Sequence, residues 1–196
     1  MRGRTGFASG FTLIELMVVV AVAGLLVLLV APSFRDMIVI NRLRGVNAQL
    51  VTDLQFGRSE AVSRARAARF NLGTDGNQTC YVIYVAVANS TPRCDCTLGA
   101  GAACTDANAT EIRTVSVQRS SQVTLNWPVD AETGFGFDHV TGGLISIPND
   151  MASAPLESVQ IDTRIDDDRR LRNRVVQTGR VSVCAPNPQR MQVAAC

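Results

Sequence analysis

From Phe11 to Val30 the chain is apolar at nearly every position, with Glu15 the single ionisable side chain in twenty residues. As a helix rising about 1.5 Å per residue, the run spans roughly 30 Å, the thickness of a bilayer core. Beyond Pro32 the pattern becomes one-sided. Val39, Leu43, Val46, Leu50, Leu54, Gly57 and Ala61 recur at steps of three and four, an apolar stripe on an amphipathic helix. Arg42, Arg44, Asp53, Arg58 and Glu60 fall off that stripe, and Glu60 with Arg64 forms an i,i+4 pair in the favourable order. Gly57 lies on the stripe and leaves room for close packing. A proline inside a helix removes one hydrogen bond and kinks it without ending it when both flanks stay helical. The pattern therefore predicts one helix from Phe11 to about Ala67, an apolar half over 11–31 and an amphipathic half over 32–67.

After Ala68 the period changes to two. Tyr81–Ala88 is apolar on both faces, as a central strand is. Val115 with Val117, the series Val123, Leu125 and Trp127, Ile145 with Ile147, Val159 with Ile161, and Val181 with Val183 alternate with polar neighbours like half-buried strands. Gly142-Gly143 and the Asp166–Arg174 stretch supply turns. The fold class predicted is α+β, a long N-terminal helix packed on a β-rich head (68–196) of six to eight mostly antiparallel strands. Residues 89–110 are small, polar and rich in Gly and Ala, which makes them a loop. Its length marks it as functional or disordered, and its cysteines argue against disorder.

The start of the apolar run changes its meaning. A removable secretory signal has an apolar core of about 7–15 residues with a small-residue cleavage site after it. Here the small residue, Gly10, precedes the run, so a cut at that point leaves the hydrophobic helix on the mature chain. Gly10-Phe11-Thr12-Leu13-Ile14-Glu15 followed by an unbroken apolar helix resembles the leader of type IV prepilins and type II secretion pseudopilins. The resemblance implies a leader over 1–10, cleavage by a prepilin peptidase between Gly10 and Phe11, and N-methylation of Phe11. It also implies that Glu15 faces the N-terminus of a neighbouring subunit in a filament. The physical chemistry agrees: a carboxylate in a membrane helix costs a few kcal/mol and is kept where something pairs with it. A carboxylate at the interface that snorkels to water is the plainer alternative.

Within the helix, Leu50-Val51-Thr52-Asp53-Leu54-Gln55-Phe56-Gly57-Arg58-Ser59-Glu60-Ala61-Val62 resembles the GspH/FimT family of minor pilins and minor pseudopilins. Late in the chain, Gly179-Arg180-Val181-Ser182-Val183-Cys184 is similar to the same family. This resemblance implies a low-copy subunit near a pilus tip that primes assembly with other minor pilins, or a minor pseudopilin of a secretion system. It implies residence in the bacterial inner membrane with the head in the periplasm, then in an extracellular pilus or a periplasmic pseudopilus. Some members resembling FimT bind DNA through a Gly-Arg-x-Arg motif and a basic tail. This chain matches Gly179 and Arg180 but has Ser182 at the second arginine, leaving Arg172, Arg174, Arg180 and Arg190 as phosphate-contact candidates.

Net charge limits that last idea. The formal charge is +2, and removal of Arg2 and Arg4 with the leader takes it to zero (2 − 2), so no bulk field steers a polyanion. All nineteen basic residues are arginine.

Six cysteines (Cys80, Cys94, Cys96, Cys104, Cys184 and Cys196) behind a membrane signal point to an oxidising compartment and formally allow 15 pairings. A Cys184–Cys196 bridge pins the tail and is worth about 2–3 kcal/mol; the pilin resemblance also implies a disulfide-closed terminal loop. The other four are expected to tie the 89–110 loop to the strand at Cys80, Cys94 and Cys96 being too close to favour each other. The competing reading is a four-sulfur zinc site, which Cys-x-Cys spacing suits poorly.

No hydrolase, metalloprotease or phosphate-loop motif is present, and no enzyme, cofactor or metal is expected. His139 beside a turn is read as a loop cap. Asp162 and Asp166-Asp167-Asp168 raise calcium, but the flanking Arg164, Arg169, Arg170, Arg172 and Arg174 fit an ion-paired hairpin better. Three Asn-x-Thr or Asn-Ser-Thr triplets, at Asn77, Asn89 and Asn108, are read as chance in a bacterial prepilin-like chain.

Overall fold

A computed structural model describes residues 11–87, 90–127, 134–147 and 154–196, with the side chains of 29–33 set aside. The leader, Gly10 included, and Asn89 lie outside the described residues. The chain divides between Ile38 and Val39 into two compact units. Helix α1, Leu13–Ser63, enters both and is helical through position 32.

In the first unit every described side chain from Phe11 to Leu28 is exposed, including Phe11 at 79% and Leu28 at 78%. A helix apolar all round is one that some other apolar phase covers. Among the described residues no helix is long and apolar enough to cross a membrane. Of the expected membrane half, 11–31, the side chains of 29–31 lie outside the described residues.

Among the described residues the second unit holds every buried apolar side chain. Its first buried apolar residue is Leu43, and all three disulfides lie within it. A segment with its own core and its own cross-links is built to fold alone. The stripe reading places its residues well: Leu43, Leu50, Leu54, Gly57 and Ala61 are buried, and Val39 and Val46 partly so. The i,i+4 pair forms, with Arg64 Nε 2.6 Å from Glu60 Oε2.

The helix stops at Ser63, short of the expected Ala67. Ala65 adopts a left-handed conformation (φ 50°), its N–H bonds the carbonyl of Val62, and the Arg66 N–H reaches back to Ala61. This is a Schellman closure with alanine where glycine is usual, and it turns the chain directly into the first strand.

Nine strands follow among the described residues, more than the six to eight expected. They are β1 (Ala68–Thr74), β2 (Gln78–Ala86), β3 (Ala109–Gln118), β4 (Thr124–Asn126), β5 (Gly134–Phe137), β6 (Leu144–Ile147), β7 (Ser158–Arg164), β8 (Arg170–Val176) and β9 (Val181–Cys184). They form a five-stranded sheet in the order β3-β2-β1-β5-β6 and a four-stranded sheet in the order β4-β7-β8-β9. Every ladder is antiparallel. Strand β2 lies between β1 and β3 and is buried on both faces from Cys80 onward, as its continuous apolar run requires.

Phe70 on β1 is the hub of the packing. Phe135 stacks on it with centroids 5.0 Å apart, and Phe137 meets it edge-on at 5.8 Å. Gly57 brings α1 onto the same ring: a Cβ there would lie 2.5 Å from Phe70 ring carbons.

Two expectations are corrected by the head. Asp53, read as off the stripe, is 1% exposed; the Tyr81 hydroxyl donates to its Oδ2 at 2.6 Å, and Arg113 Nη1 lies 3.0 Å from Oδ1. Burial, reinforced by Asp53, holds the Tyr81 hydroxyl far above the ordinary phenol range, so it remains a donor. The Asp166–Arg174 stretch, read as turn, is turn only around Ile165–Arg169 and then becomes β8. Leu171, Asn173 and Val175 point inward, and the inward Asn173 donates through Nδ2 to Asn47 Oδ1 of α1 at 2.7 Å.

The cysteine loop covers the outer face of β2. Cys80 bonds Cys96 and Cys94 bonds Cys104, enclosing a small cluster with Val82, Tyr84 and Ala103. Glu111 accepts from the Gly101 and Ala103 amides, and Asn71 Nδ2 donates to the Cys94 carbonyl. At the far end Cys184 bonds Cys196, and Ala185 pairs with Ala195. The short helix α2, Pro188–Met191, sits inside that closed loop.

Two stability changes follow. Ala65→Gly is expected to raise the unfolding free energy of the head by about 1 kcal/mol, because glycine adopts the left-handed conformation without steric cost. Urea titration of the Val39–Cys196 unit reads this. In the same assay Tyr81→Phe is expected to cost about 1–3 kcal/mol, since it leaves a buried carboxylate short of a donor.

Candidate functional site

Phe11 and Glu15 lie in one region, at the start of α1, and Arg180 in a second, at the end of the head where α1 meets the Gly142 and Gly179 turns, while Arg172, Arg174 and Arg190 lie on β8 and α2. At the first, Thr12 precedes the helix and its hydroxyl oxygen accepts from the Glu15 N–H at 3.3 Å, while its carbonyl accepts from Leu16. Thr12-Leu-Ile-Glu15 is the Ser/Thr-x-x-Glu capping pattern, a signal present in the sequence that the motif reading passed over. Glu15 thus stands in the first turn, where the helix dipole favours a negative charge. Its side chain is exposed and makes no ion pair among the described residues. The carboxylate therefore faces outward from a helix whose apolar neighbours Ile14, Leu16 and Met17 are equally uncovered.

With that geometry, the N-terminal segment has a specific counterpart. Residues 6–31 match the model of the prokaryotic N-terminal methylation motif. The N-terminus is that of a type IV pilin-like prepilin. The match covers the Gly10–Phe11 junction, Glu15 and the apolar run, and leaves the head of this prepilin-type chain unassigned. No curated protein and no solved structure matches the chain.

At the second region, the segments Leu50–Val62 and Gly179–Cys184, which are distant in sequence, meet. Arg58 Nε donates to the Gly142 carbonyl at 2.9 Å. Gly142 (φ 63°) and Gly179 (φ 76°) both adopt left-handed conformations, and a Cβ on Gly179 would run into the Gly142 carbonyl and Arg58 Nε. Glycine is required there twice over, by conformation and by space. A cleft of about 620 Å³ opens beside this contact, lined by Arg58, Thr141, Gly179, Arg180 and Val181 among others.

The arginine candidates separate. Arg172 and Arg174 lie on one face of β8, and the register Arg174↔Ser182 puts Ser182 of β9 on that face too. Arg172 is already engaged by a carboxylate. Its Nε and Nη2 grip Asp162 Oδ1 and Oδ2 at 2.8 and 2.9 Å, a bidentate pair on a carboxylate that is 6% exposed. That hydrogen bonding raises the guanidinium's already high pKa. Arg170 Nη1 adds a contact to Asp162 at 3.7 Å. Arg174 and Arg180 are exposed. Arg190 stands apart on α2.

Two further acids, Asp166 and Asp138, are occupied locally. Asp166 accepts from the Arg169 amide and Nε. In the 138–143 turn it is Asp138 that caps, not His139: Asp138 Oδ2 accepts from the Val140 and Thr141 amides and the Thr141 hydroxyl. Those bonds, Thr141's amide foremost, hold the Asp138 carboxyl below the usual range. His139 Nδ1 lies 3.6 Å from Asp138 Oδ1, on the rim of the turn.

Gly179→Ala is expected to destabilise the head by about 2 kcal/mol or more, because strain and overpacking fall on one atom. Thermal melts of the Val39–Cys196 unit measure it, and an unchanged midpoint would contradict the close approach of the two turns.

Proposed function

We propose that this chain is a minor pilin of the GspH/FimT family that assembles into a type IV pilus near its tip and helps prime assembly with other minor pilins. Prepilin peptidase cuts between Gly10 and Phe11, and Phe11 is then N-methylated. Until assembly the apolar half of α1 holds the chain in the inner membrane with the head in the periplasm. The role is structural, with no catalysis. One observation carries the reading: the methylation motif at 6–31 runs into a helix whose described side chains through Leu28 are all uncovered.

Glu15 gives the reading its mechanism. An unpaired carboxylate in a membrane or a filament core costs a few kcal/mol, and the ammonium of Phe11 on an adjacent subunit removes that cost when the two meet. A subunit leaving the bilayer therefore gains most where its Glu15 finds a neighbour's N-terminus. A minor pseudopilin of a type II secretion system would use the same N-terminal chemistry; pilus or secretion genes beside this one distinguish the two. The DNA-binding alternative has less to draw on, since Arg172 is committed to Asp162 and the mature net charge is zero.

Glu15→Ala is expected to be processed like the parent yet to be lost from sheared filaments in the native host. Immunoblots of the membrane and filament fractions read both steps. Normal incorporation of the variant would overturn the pairing role.

A further inference from the structure

Two of the Asn-x-Thr triplets, which the sequence alone leaves as chance, sit inside the same five-residue unit. Asp75-Gly76-Asn77-Gln78-Thr79 and Asp106-Ala107-Asn108-Ala109-Thr110 both read Asp-x-Asn-x-Thr. The structure gives the two a shared backbone pattern. In each, the Asn N–H donates to the Asp Oδ1, at 2.9 Å for Asn77 and 2.8 Å for Asn108. In each, the Asn carbonyl accepts from a neighbouring segment, from the Arg119 amide for Asn77 and the Val87 amide for Asn108. The main chain is thereby pinned while the residue stays exposed, its carboxamide making no hydrogen bond among the described residues. Asn71 and Asn173, by contrast, spend their amides inside the fold.

From there the two units diverge. Asp75 has both oxygens occupied, Oδ1 by the Asn77 and Gln78 amides and Oδ2 by Gln78 Nε2. Thr79 is half-buried, and its Oγ1 accepts from the Leu125 amide at 3.0 Å. It belongs to β2, which has a strand on either side. At the other unit Asp106 is exposed, and its Oδ2 makes no hydrogen bond among the described residues. Thr110 is exposed too, with its hydroxyl equally unbonded there. Asp106–Ala109 is a turn, closed by the Ala109 N–H on the Asp106 carbonyl at 3.0 Å. It leads into β3, the edge strand of its sheet. Carboxamide, hydroxyl, carboxylate oxygen and strand edge are therefore open to an enzyme at once.

We infer that Asn108 is an acceptor for an N-linked glycan, attached outside the reducing cytoplasm, where the disulfides of the head form. The donor class is a saccharide carried on a lipid diphosphate and delivered by a membrane-bound oligosaccharyltransferase. Asn108 Nδ2 forms a bond to the anomeric carbon of the sugar. The bond from that carbon to the diphosphate oxygen breaks, and its electron pair leaves with the lipid diphosphate. One amide proton passes to a base of the transferase, and nothing is oxidised or reduced. Asp106 is a positioning residue: its Oδ1 holds the Asn108 amide, and its Oδ2 is offered to a cationic group of the transferase. Asn77 carries the same residue types in a closed setting and is refused in the folded head. This goes beyond the assembly role proposed above, requires only that the head leaves the cytoplasm, and holds whatever the mature N-terminus is.

Peptide mapping by mass spectrometry of the full chain purified from its native host tests it. The reduced tryptic peptide Cys94–Arg113 is expected to be heavier than its sequence by a saccharide, located on Asn108 by electron-transfer fragmentation. Asn77, in the peptide Phe70–Arg93, is expected to be unmodified. Asn108→Gln and Thr110→Ala are each expected to abolish the added mass, and Thr110→Ser to keep it. Asp106→Ala is expected to lower the modified fraction several-fold with the triplet intact. A Cys94–Arg113 peptide at its bare mass in the parent overturns the proposal. So does sugar found on a serine or threonine in place of Asn108, or equal occupancy at Asn77.

Discussion

A single face of α1 has to serve two sheets at once, and the head is organised around how it does so. Gly57 removes a side chain at the point of closest approach, letting the helix rest on the ring of Phe70, which Phe135 and Phe137 hold from the other side. Along the same helix, Asp53 reaches the five-stranded sheet through Tyr81 and Arg113, and Asn47 reaches the four-stranded sheet through Asn173. Apolar burial supplies the driving force, whereas the buried polar contacts admit one rotation and one register of the helix. An Asp or Asn buried without its partner costs several times what the pair contributes, so alternatives to this docking are penalised strongly.

Charge in the head follows from the same arrangement. With the inner face of the four-stranded sheet committed to the helix, the arginines of β8 project outward. One buried carboxylate, Asp162, absorbs Arg172 and part of Arg170. At the β7–β8 turn Asp166 pairs with Arg169 and Asp167 with Arg164, whereas Arg174 and Arg180 stay exposed. The start of α1 is unlike the head: its described side chains through Leu28 are all uncovered, Glu15 is its one carboxylate, and it matches a methylation motif.

Much of this was legible in the residues. The helix stripe, the doubly buried β2, five further strands and the cysteine-rich loop each announced themselves through period or composition, because each obeys one dominant rule. The misses arise where two rules compete. Strand β8 alternates as it must, but its inward Asn173 is polar and its outward positions are arginine, so a hydrophobicity pattern reads turn. Strand β5 alternates Phe with Gly, and Gly in a short segment looks like a loop. Here it is needed because a Cβ on Gly136 would press on the Ala68 carbonyl of β1. Asp53 looked solvated because its partners, Tyr81 and Arg113, lie 28 and 60 positions away (81 − 53 and 113 − 53). The early end of α1 depends on an alanine in a conformation that sequence assigns to glycine. At the candidate site, Gly10, Phe11 and Glu15 were legible as a motif. The meeting of Arg58 with the Gly142 and Gly179 turns was not, being a product of tertiary packing.

The account depends above all on a leader being removed to free the amine of an apolar helix. Intact-mass and fragment-ion mass spectrometry of the chain purified from its native host reads that directly. The prediction is a mature N-terminus at Phe11 bearing one added methyl group. A chain that retains residues 1–10, or begins at another position, would contradict the account.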